Sequence, residues 1–128
     1  MSSTDIRSLL DRHWAASNSG DQEAEHDIYA DGVVVEYPQS GEVIRGRRTI
    51  QELRTKYPAA KRTFAVREIT GSGDIWVTEY VLTYDGKPAY TVSIMRFEAG
   101  KVVHETQYFA DPFEAPAWRA SLVEFEGR

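Results

Sequence analysis

The amino-acid sequence predicts an α+β fold because helical and strand patterns are segregated along the chain. Apolar residues recur at helical spacing in most of the first half, whereas the second half alternates as strands do. The predicted strands of the second half are Thr63 to Ile69, Ile75 to Tyr84, Ala89 to Glu98 and Val102 to Phe109. Short glycine-containing turns join them, so neighbouring strands pair antiparallel. With 128 residues, the chain is expected to form a single domain over residues 1–128.

Three helices and one strand pair are predicted before this meander. Thr4 to Asn18 carries an apolar stripe typical of a helix, and Asp21 is placed to cap a second helix that runs to about Ala30. Asp31-Gly32 then predicts a turn. The remaining elements are a strand from Val33 to Tyr37, a return strand from Glu42 to Arg45, and a helix from Thr49 to Tyr57 that Pro58 ends.

The C-terminal segment is predicted to be helical and to fold back onto the domain. Asp111-Pro112-Phe113-Glu114 has the cap, the first-position proline and the acidic third position of a helix start. A helix is expected from Ala117 to Glu124. Phe113 and Trp118 are large aromatic residues, and we expect both to be buried.

Composition excludes several classes of function. The net charge is −5 and the chain has no cysteine, so no nucleic-acid partner, disulfide or thiolate metal site is expected. The three histidines lack metal-binding spacing, and we expect no metal and no cofactor. No apolar run is long enough to span a membrane, and no signal peptide is visible at the N-terminus. A cytoplasmic location is therefore expected.

The predicted strands are apolar on both faces. One face must pack beneath the helices, and the other carries Val77, Val92 and Ile94. A second face this apolar is unfavourable in water, so we expect a homodimer to cover it.

Four stretches resemble one known family. They are Arg12 to Asp21, Tyr29 to Pro38, Gly100 to Val103 and Tyr108 to Asp111. In order and spacing they resemble the nuclear transport factor 2-like, or SnoaL-like, proteins. This resemblance implies a cone-like fold: a curved mixed or antiparallel sheet wrapped around N-terminal helices, with a pocket at its open end. It also implies dimerisation through the outer face of the sheet.

The activities known in that family are not all compatible with this sequence. Where ketosteroid isomerases have a helical tyrosine, an aspartate base and a second acid, the matching positions here are His13, Tyr37 and the neighbourhood of Ser93. A tyrosine is a poor base at neutral pH, so that isomerase mechanism is excluded. The Asp–Arg–Asp set of limonene epoxide hydrolases falls on Tyr80, Leu82 and either Gln107 or Tyr108, and is absent. Polyketide cyclases use an acid on the pocket wall, and Glu105 or Asp111 would meet that need.

One mainly aromatic pocket is predicted from strand alternation and the stripe of the first helix. Its expected ligand-binding residues are Trp14, Tyr37, Trp76, Tyr80, Ser93, Gln107 and Phe109. The candidate catalytic residues are His13, Glu105 and Asp111. His26 lies on a polar helix face and is expected to be solvated.

His13 and Glu105 each allow two interpretations. His13 is either a core histidine with one hydrogen bond or an acid–base group of the pocket. Glu105 is either an inward-facing acid or a structural residue that pairs with Arg67 or Arg96 or lies at the surface. As an inward-facing acid it would be a neutral carboxyl with a raised pKa that donates to a carbonyl, or an ionised carboxylate in a dyad with a cationic His13.

Two functions follow from these observations. The first is an enzyme of the cyclase, isomerase or dehydratase kind, acting by acid–base chemistry on a small, apolar, carbonyl-bearing molecule. Glu105 or Asp111 would be its base, and His13 or Tyr37 its proton donor. The second is a domain that binds a small apolar molecule without catalysis.

Overall fold

A computed structural model of the protein describes residues 2–56 and 61–126. The elements are α1 (Ser3–Ser19), α2 (Gln22–His26), β1 (Tyr29–Tyr37), β2 (Glu42–Arg45), α3 (Arg47–Lys56), β3 (Arg62–Ser72), β4 (Ile75–Tyr84), β5 (Lys87–Glu98), β6 (Lys101–Ala110) and a 3₁₀ helix (Ala117–Leu122). The predicted end of the third helix, at Tyr57 and Pro58, lies outside the described residues.

Local capping sets the limits of α1. The Ser2 hydroxyl accepts a hydrogen bond from the Asp5 backbone nitrogen at 3.2 Å, and the Asp5 carboxylate bonds back to Ser2. This capping box satisfies N–H groups that have no partner within the helix. At the other end, Gly20 adopts a left-handed conformation with φ 81°, which glycine reaches without steric cost. The helix buries Ile6, Leu10 and Trp14 against the sheet.

Six strands form one curved, unclosed sheet in the order β2-β1-β6-β5-β4-β3. The hairpins from β3 to β6 are antiparallel, β1 and β2 are antiparallel, and β1 pairs parallel with β6. The core lies between the inner face of this sheet and the helices. The α+β fold predicted from the sequence is therefore confirmed.

The second helix is shorter than expected. It ends at His26, because the Ile28 carbonyl accepts a hydrogen bond from Val102 at 2.9 Å and the chain enters β1. Asp31-Gly32 lies within β1, where the pairing with β6 shifts, and does not form the predicted turn. The expectation that His26 is solvated was also wrong, since it is 2% exposed.

The C-terminal segment differs most from its prediction. Between Ala110 and residue 126 the chain is irregular except for a short 3₁₀ helix at Ala117–Leu122. Phe113 and Trp118 are 80% and 77% exposed, so the expectation of their burial was wrong for the single chain. Proline lacks an N–H donor, and Pro116 holds an extended backbone, which prevents a continuous helix.

None of the helices within residues 2–56 and 61–126 has the length and apolarity that a bilayer span requires.

Candidate functional site

A cavity of about 570 Å³ lies between the inner face of the sheet and the helices. Its aromatic lining residues are Trp14, Tyr37, Phe64, Tyr80, Tyr84 and Phe109. The charged side chains along it are Glu25, Glu42, Arg54, Arg62, Lys87 and Asp111. The lining is thus aromatic on its walls and contains equal numbers of acidic and basic groups.

The aromatic walls are held by contacts between elements. The rings of Trp14 on α1 and Tyr80 on β4 have centroids 4.4 Å apart, and the Trp14 indole donates a hydrogen bond to the Thr78 hydroxyl at 3.1 Å. Tyr37 and Phe109 meet edge to face at 5.3 Å. The Gln39 side-chain amide bonds to the backbone N–H and C=O of Phe109, and thereby joins the β1–β2 turn to the end of β6.

Three buried polar side chains form a closed cluster in this wall. The Tyr80 and Ser93 hydroxyls are 2.9 Å apart, and the Gln107 amide nitrogen lies 3.0 Å from each. The amide supplies the protons for two of these three contacts, and one hydroxyl supplies the third. With the amide reversed, two hydroxyl protons would have to serve three contacts, so the hydrogen-bond count favours this orientation, in which Oε1 of Gln107 has no partner among the described residues.

Of the two hydroxyl protons on Tyr80 and Ser93, one has no acceptor within the cluster. All three side chains are buried, but Tyr80 and Gln107 are among the residues that line the cavity, whereas Ser93 is not. Burial raises the pKa of Tyr80, so its phenol keeps its proton at neutral pH. The cluster therefore holds a proton that Tyr80 can direct toward a molecule in the cavity.

A buried ion pair lies beside the cluster. The Arg54 guanidinium on α3 is 3.3 Å from the Glu25 carboxylate on α2, and both side chains line the cavity. Arg54 also donates to the His26 ring nitrogen Nε2 and to the Tyr29 hydroxyl, each at 3.3 Å. The acceptor Nε2 requires a neutral His26, and burial lowers the pKa of His26 accordingly.

Glu105 lies behind the cavity wall and is fully buried. Its Oε1 accepts a hydrogen bond from the Tyr29 hydroxyl at 2.6 Å. Among the described residues, Oε2 of Glu105 has no hydrogen-bond partner. The nearby Ser93 hydroxyl nevertheless lowers the pKa of the Glu105 carboxyl group. Burial raises the pKa of Glu105 more than Arg54, Tyr29 and Ser93 lower it, which favours the protonated acid.

His13 takes a different position from Glu105. Its Nδ1 donates to the Glu25 carbonyl at 2.7 Å, and its ring meets the edge of Tyr29 at 5.8 Å. Burial, with the Arg54 charge nearby, lowers the pKa of His13 to about 3, so the ring is neutral at pH 7. The hydrogen bonds of His13 and Glu105 go to Glu25 and Tyr29, not to each other.

The predicted site residues fall into three groups. Those that line the cavity are Trp14, Tyr37, Tyr80, Gln107, Phe109 and the exposed Asp111. Those buried behind it are His13, Ser93 and Glu105. Trp76 lies elsewhere, at the start of β4, where its indole covers Gly71 and donates to the Gly73 carbonyl at 3.0 Å.

Sequence reasoning missed Arg54, Glu25 and Tyr29. The cation near Glu105 is Arg54, whereas Arg67 pairs with Glu79 on the surface at 3.6 Å. A signal for Arg54 existed, because it falls four residues after the buried Ile50 and therefore on the inward face of α3.

Comparisons with known proteins agree with this architecture. The SnoaL-like domain family matches residues 10–105. An NTF-2 like protein of unknown function from Burkholderia xenovorans LB400 is 56% identical over 99% of both chains, with a TM-score of 0.89. A comparison with curated proteins finds no match.

Two more distant solved structures share the fold. A putative ketosteroid isomerase from Kribbella flavida DSM 17836 is 24% identical, covers 95% of this chain and 90% of its own, and has a TM-score of 0.86. An epoxide hydrolase of M. tuberculosis, described as LEH-like, is 18% identical over 83% of both chains, with a TM-score of 0.68. The family match and the relative from Burkholderia show that this chain belongs to the SnoaL-like family of nuclear transport factor 2-like proteins.

Proposed function

We propose that the protein binds a small, uncharged and mainly apolar molecule in its cavity. The observation that carries the proposal is a cavity of about 570 Å³ with aromatic walls, the buried cluster of Tyr80, Ser93 and Gln107, and a buried Arg54–Glu25 pair whose charges offset each other. This volume is within the range of small-molecule sites, in which a few polar groups orient an apolar ligand. The equal numbers of acidic and basic groups favour a ligand without net charge.

Binding can be tested with 6-propionyl-2-(dimethylamino)naphthalene (prodan), a neutral aromatic ketone whose emission shifts in an apolar site. We expect saturable binding to the wild type and its loss in Leu53→Trp, because Leu53 lines the cavity and an indole would fill it. Leu122→Trp is the matched control, since Leu122 is exposed on the C-terminal segment. Circular dichroism checks that both variants fold. Equal binding by the two variants would contradict the proposal.

Acid–base catalysis on the bound molecule is the second candidate function. A buried Glu105 with a raised pKa behind the wall, and an exposed carboxylate at Asp111 on the cavity, supply an acid and a base in different environments. We assign the base to Asp111 and the acid to Glu105. His13 keeps a supporting role, because it is neutral and holds the backbone of Glu25.

Exchange of the prodan α-protons in D₂O distinguishes catalysis from binding alone. A base at Asp111 would accelerate this exchange above the protein-free rate, and Asp111→Asn would remove the acceleration without removing binding. Glu114→Gln is the control, since Glu114 is an exposed carboxylate on the same segment. Exchange at the protein-free rate with prodan bound would leave non-catalytic binding as the function.

We also infer a homodimer through the outer face of the sheet. Ile75, Tyr90 and Tyr108 are exposed there, and Val77, Val92 and Ile94 are half-buried. A large apolar face is the usual mark of an interface. Sedimentation equilibrium at micromolar concentration should give twice the chain mass of 14.5 kDa, and a monomer mass would contradict the inference.

A further inference from the structure

We propose that the Tyr80 hydroxyl is the donor that recognises a carbonyl oxygen of the ligand, and that Ser93 couples this donor to the protonation of Glu105. The proposal rests on the proposed function, because it names the substrate class of the same cavity: a molecule whose polar end is a hydrogen-bond acceptor. It begins with the proton that the cluster of Tyr80, Ser93 and Gln107 leaves unassigned.

The register of β5 and β6 places Ser93 next to Glu105. Ser93 pairs with Gln107, and Met95 pairs with Glu105, so Ser93 and Glu105 are diagonal neighbours. Both are fully buried on the inner face, and diagonal neighbours are within reach of a long side chain. The unpartnered Oε2 of Glu105 is the atom available to Ser93, because Oε1 is occupied by Tyr29. The coupling requires a side-chain rotation that brings the Ser93 hydroxyl and Oε2 into hydrogen-bond geometry.

When Glu105 is protonated, each group donates its proton to the next one toward the cavity. Oε2–H donates to Ser93, whose oxygen also accepts from Gln107 and is then saturated. The Ser93 proton must go to the Tyr80 oxygen, and the Tyr80 proton is left to point at the ligand. Since Tyr80 lines the cavity and Glu105 does not, Tyr80 is the group that contacts the carbonyl.

When Glu105 is ionised, the order of donation is reversed, and each hydroxyl donates toward Glu105. Ser93 donates to the carboxylate, Tyr80 donates to Ser93, and no hydroxyl proton is left for the ligand. A carbonyl ligand therefore binds best to the protein with Glu105 neutral, and binding raises the pKa of Glu105 by linkage. If the ligand takes the Tyr80 proton, Ser93 and then Glu105 replace it, and the negative charge ends on the Glu105 carboxylate.

Other charged and titratable groups surround Glu105. They are Glu25 on α2, Tyr29 and Tyr37 on β1, Arg54 on α3 and Tyr80 on β4. Both tyrosines of β1 have raised pKa values and stay neutral, and Arg54 stays cationic beside Glu25. Burial raises the pKa of Glu105 above its ordinary value, and Glu105 is the acid whose charge is coupled to Tyr80.

Affinity for prodan, measured between pH 5 and 9, tests the coupling. The wild type should bind more weakly as pH rises through the pKa of Glu105, by up to tenfold per pH unit. Glu105→Gln imitates the protonated acid, because its amide accepts from Tyr29 and donates to Ser93. It should bind as the wild type does at low pH, with no dependence on pH. Tyr80→Phe should bind weakly at every pH.

Tyr90→Phe is the control for tyrosine removal, because Tyr90 lies on the outer face of the sheet and is not among the residues that line the cavity, and it should keep the wild-type profile. The carboxyl resonance of Glu105 in ¹³C-labelled protein should titrate at higher pH with prodan bound. A flat wild-type profile, or a pH dependence that persists in Glu105→Gln, would overturn the coupling while leaving ligand binding intact. No prodan binding by any variant would overturn the proposed function itself.

Discussion

Removing the Arg54 charge should strongly destabilise the protein. Arg54 lies 3.3 Å from Glu25, and their side chains are only 12% and 4% exposed. Arg54→Met preserves the apolar stem but leaves the Glu25 carboxylate buried without its cation. Removing one partner of a buried ion pair costs about 3–5 kcal/mol, since the remaining charge stays desolvated.

A double-mutant cycle separates this penalty from lost packing. In Arg54→Met/Glu25→Gln both charges are absent, so we expect most of the lost stability to return, to within about 1–2 kcal/mol of wild type. The exposed pair Arg7–Asp11 is the control: at 3.2 Å it is as close, but its side chains are 51% and 58% exposed. Arg7→Met should cost about 0.5 kcal/mol or less.

Urea denaturation followed by tryptophan fluorescence supplies the free energies of unfolding. A loss of unfolding free energy in Arg54→Met that is no larger than in Arg7→Met would contradict a desolvation penalty at Glu25. That penalty is also contradicted if the double variant is as unstable as the single one, because the loss would then come from packing and not from the orphaned carboxylate.

Three further predictions concern other parts of the chain. The pKa of His13 in the folded state, about 3, lies below its ordinary 6.5, so its contribution to stability is complete above pH 6.5 and is lost as pH falls toward 3. Between pH 4 and 6, a plot of the free energy of unfolding against pH should therefore be less steep for His13→Gln than for the wild type, by about 1.4 kcal/mol per pH unit. Equal slopes for the two proteins would show that His13 is not buried in its neutral form. Gly71→Ala should destabilise by about 1–3 kcal/mol in thermal or urea unfolding, because a Cβ there would lie 2.5 Å from the Trp76 ring and 2.6 Å from the Ile75 carbonyl oxygen; a neutral effect would contradict that packing. Trp118→Ala should change the unfolding free energy of the monomer, measured by denaturation at high dilution, by less than about 0.5 kcal/mol, since Trp118 is exposed, and a loss of 3 kcal/mol or more would mean that the segment packs on its own domain.

Local patterns in the sequence were sufficient to predict the meander and the first helix. Alternation from Ile75 to Phe109, with glycine turns between strands, predicts hairpins because each contact lies between neighbours in the chain. Ser2 and Gly20 show why the ends of α1 are also local properties, since each satisfies backbone groups within one turn. The cavity residues Tyr80, Gln107 and Phe109 follow from the same alternation, and Trp14 follows from the apolar stripe of α1.

Contacts between elements far apart in the chain decided the partners of the buried charges and the end of α2, which the sequence pattern does not indicate. Glu25, Arg54 and Glu105 lie on three separate elements, and no local period indicates that one guanidinium serves both the Glu25 carboxylate and the surroundings of Glu105. The early end of α2 likewise depends on β1 pairing with β6, across more than seventy residues. The buried His26 contacts Arg54 of α3, which is 28 residues away in the chain. Periodicity reports which face of an element is buried, whereas the partner of a buried charge is set by how elements far apart in the chain pack together.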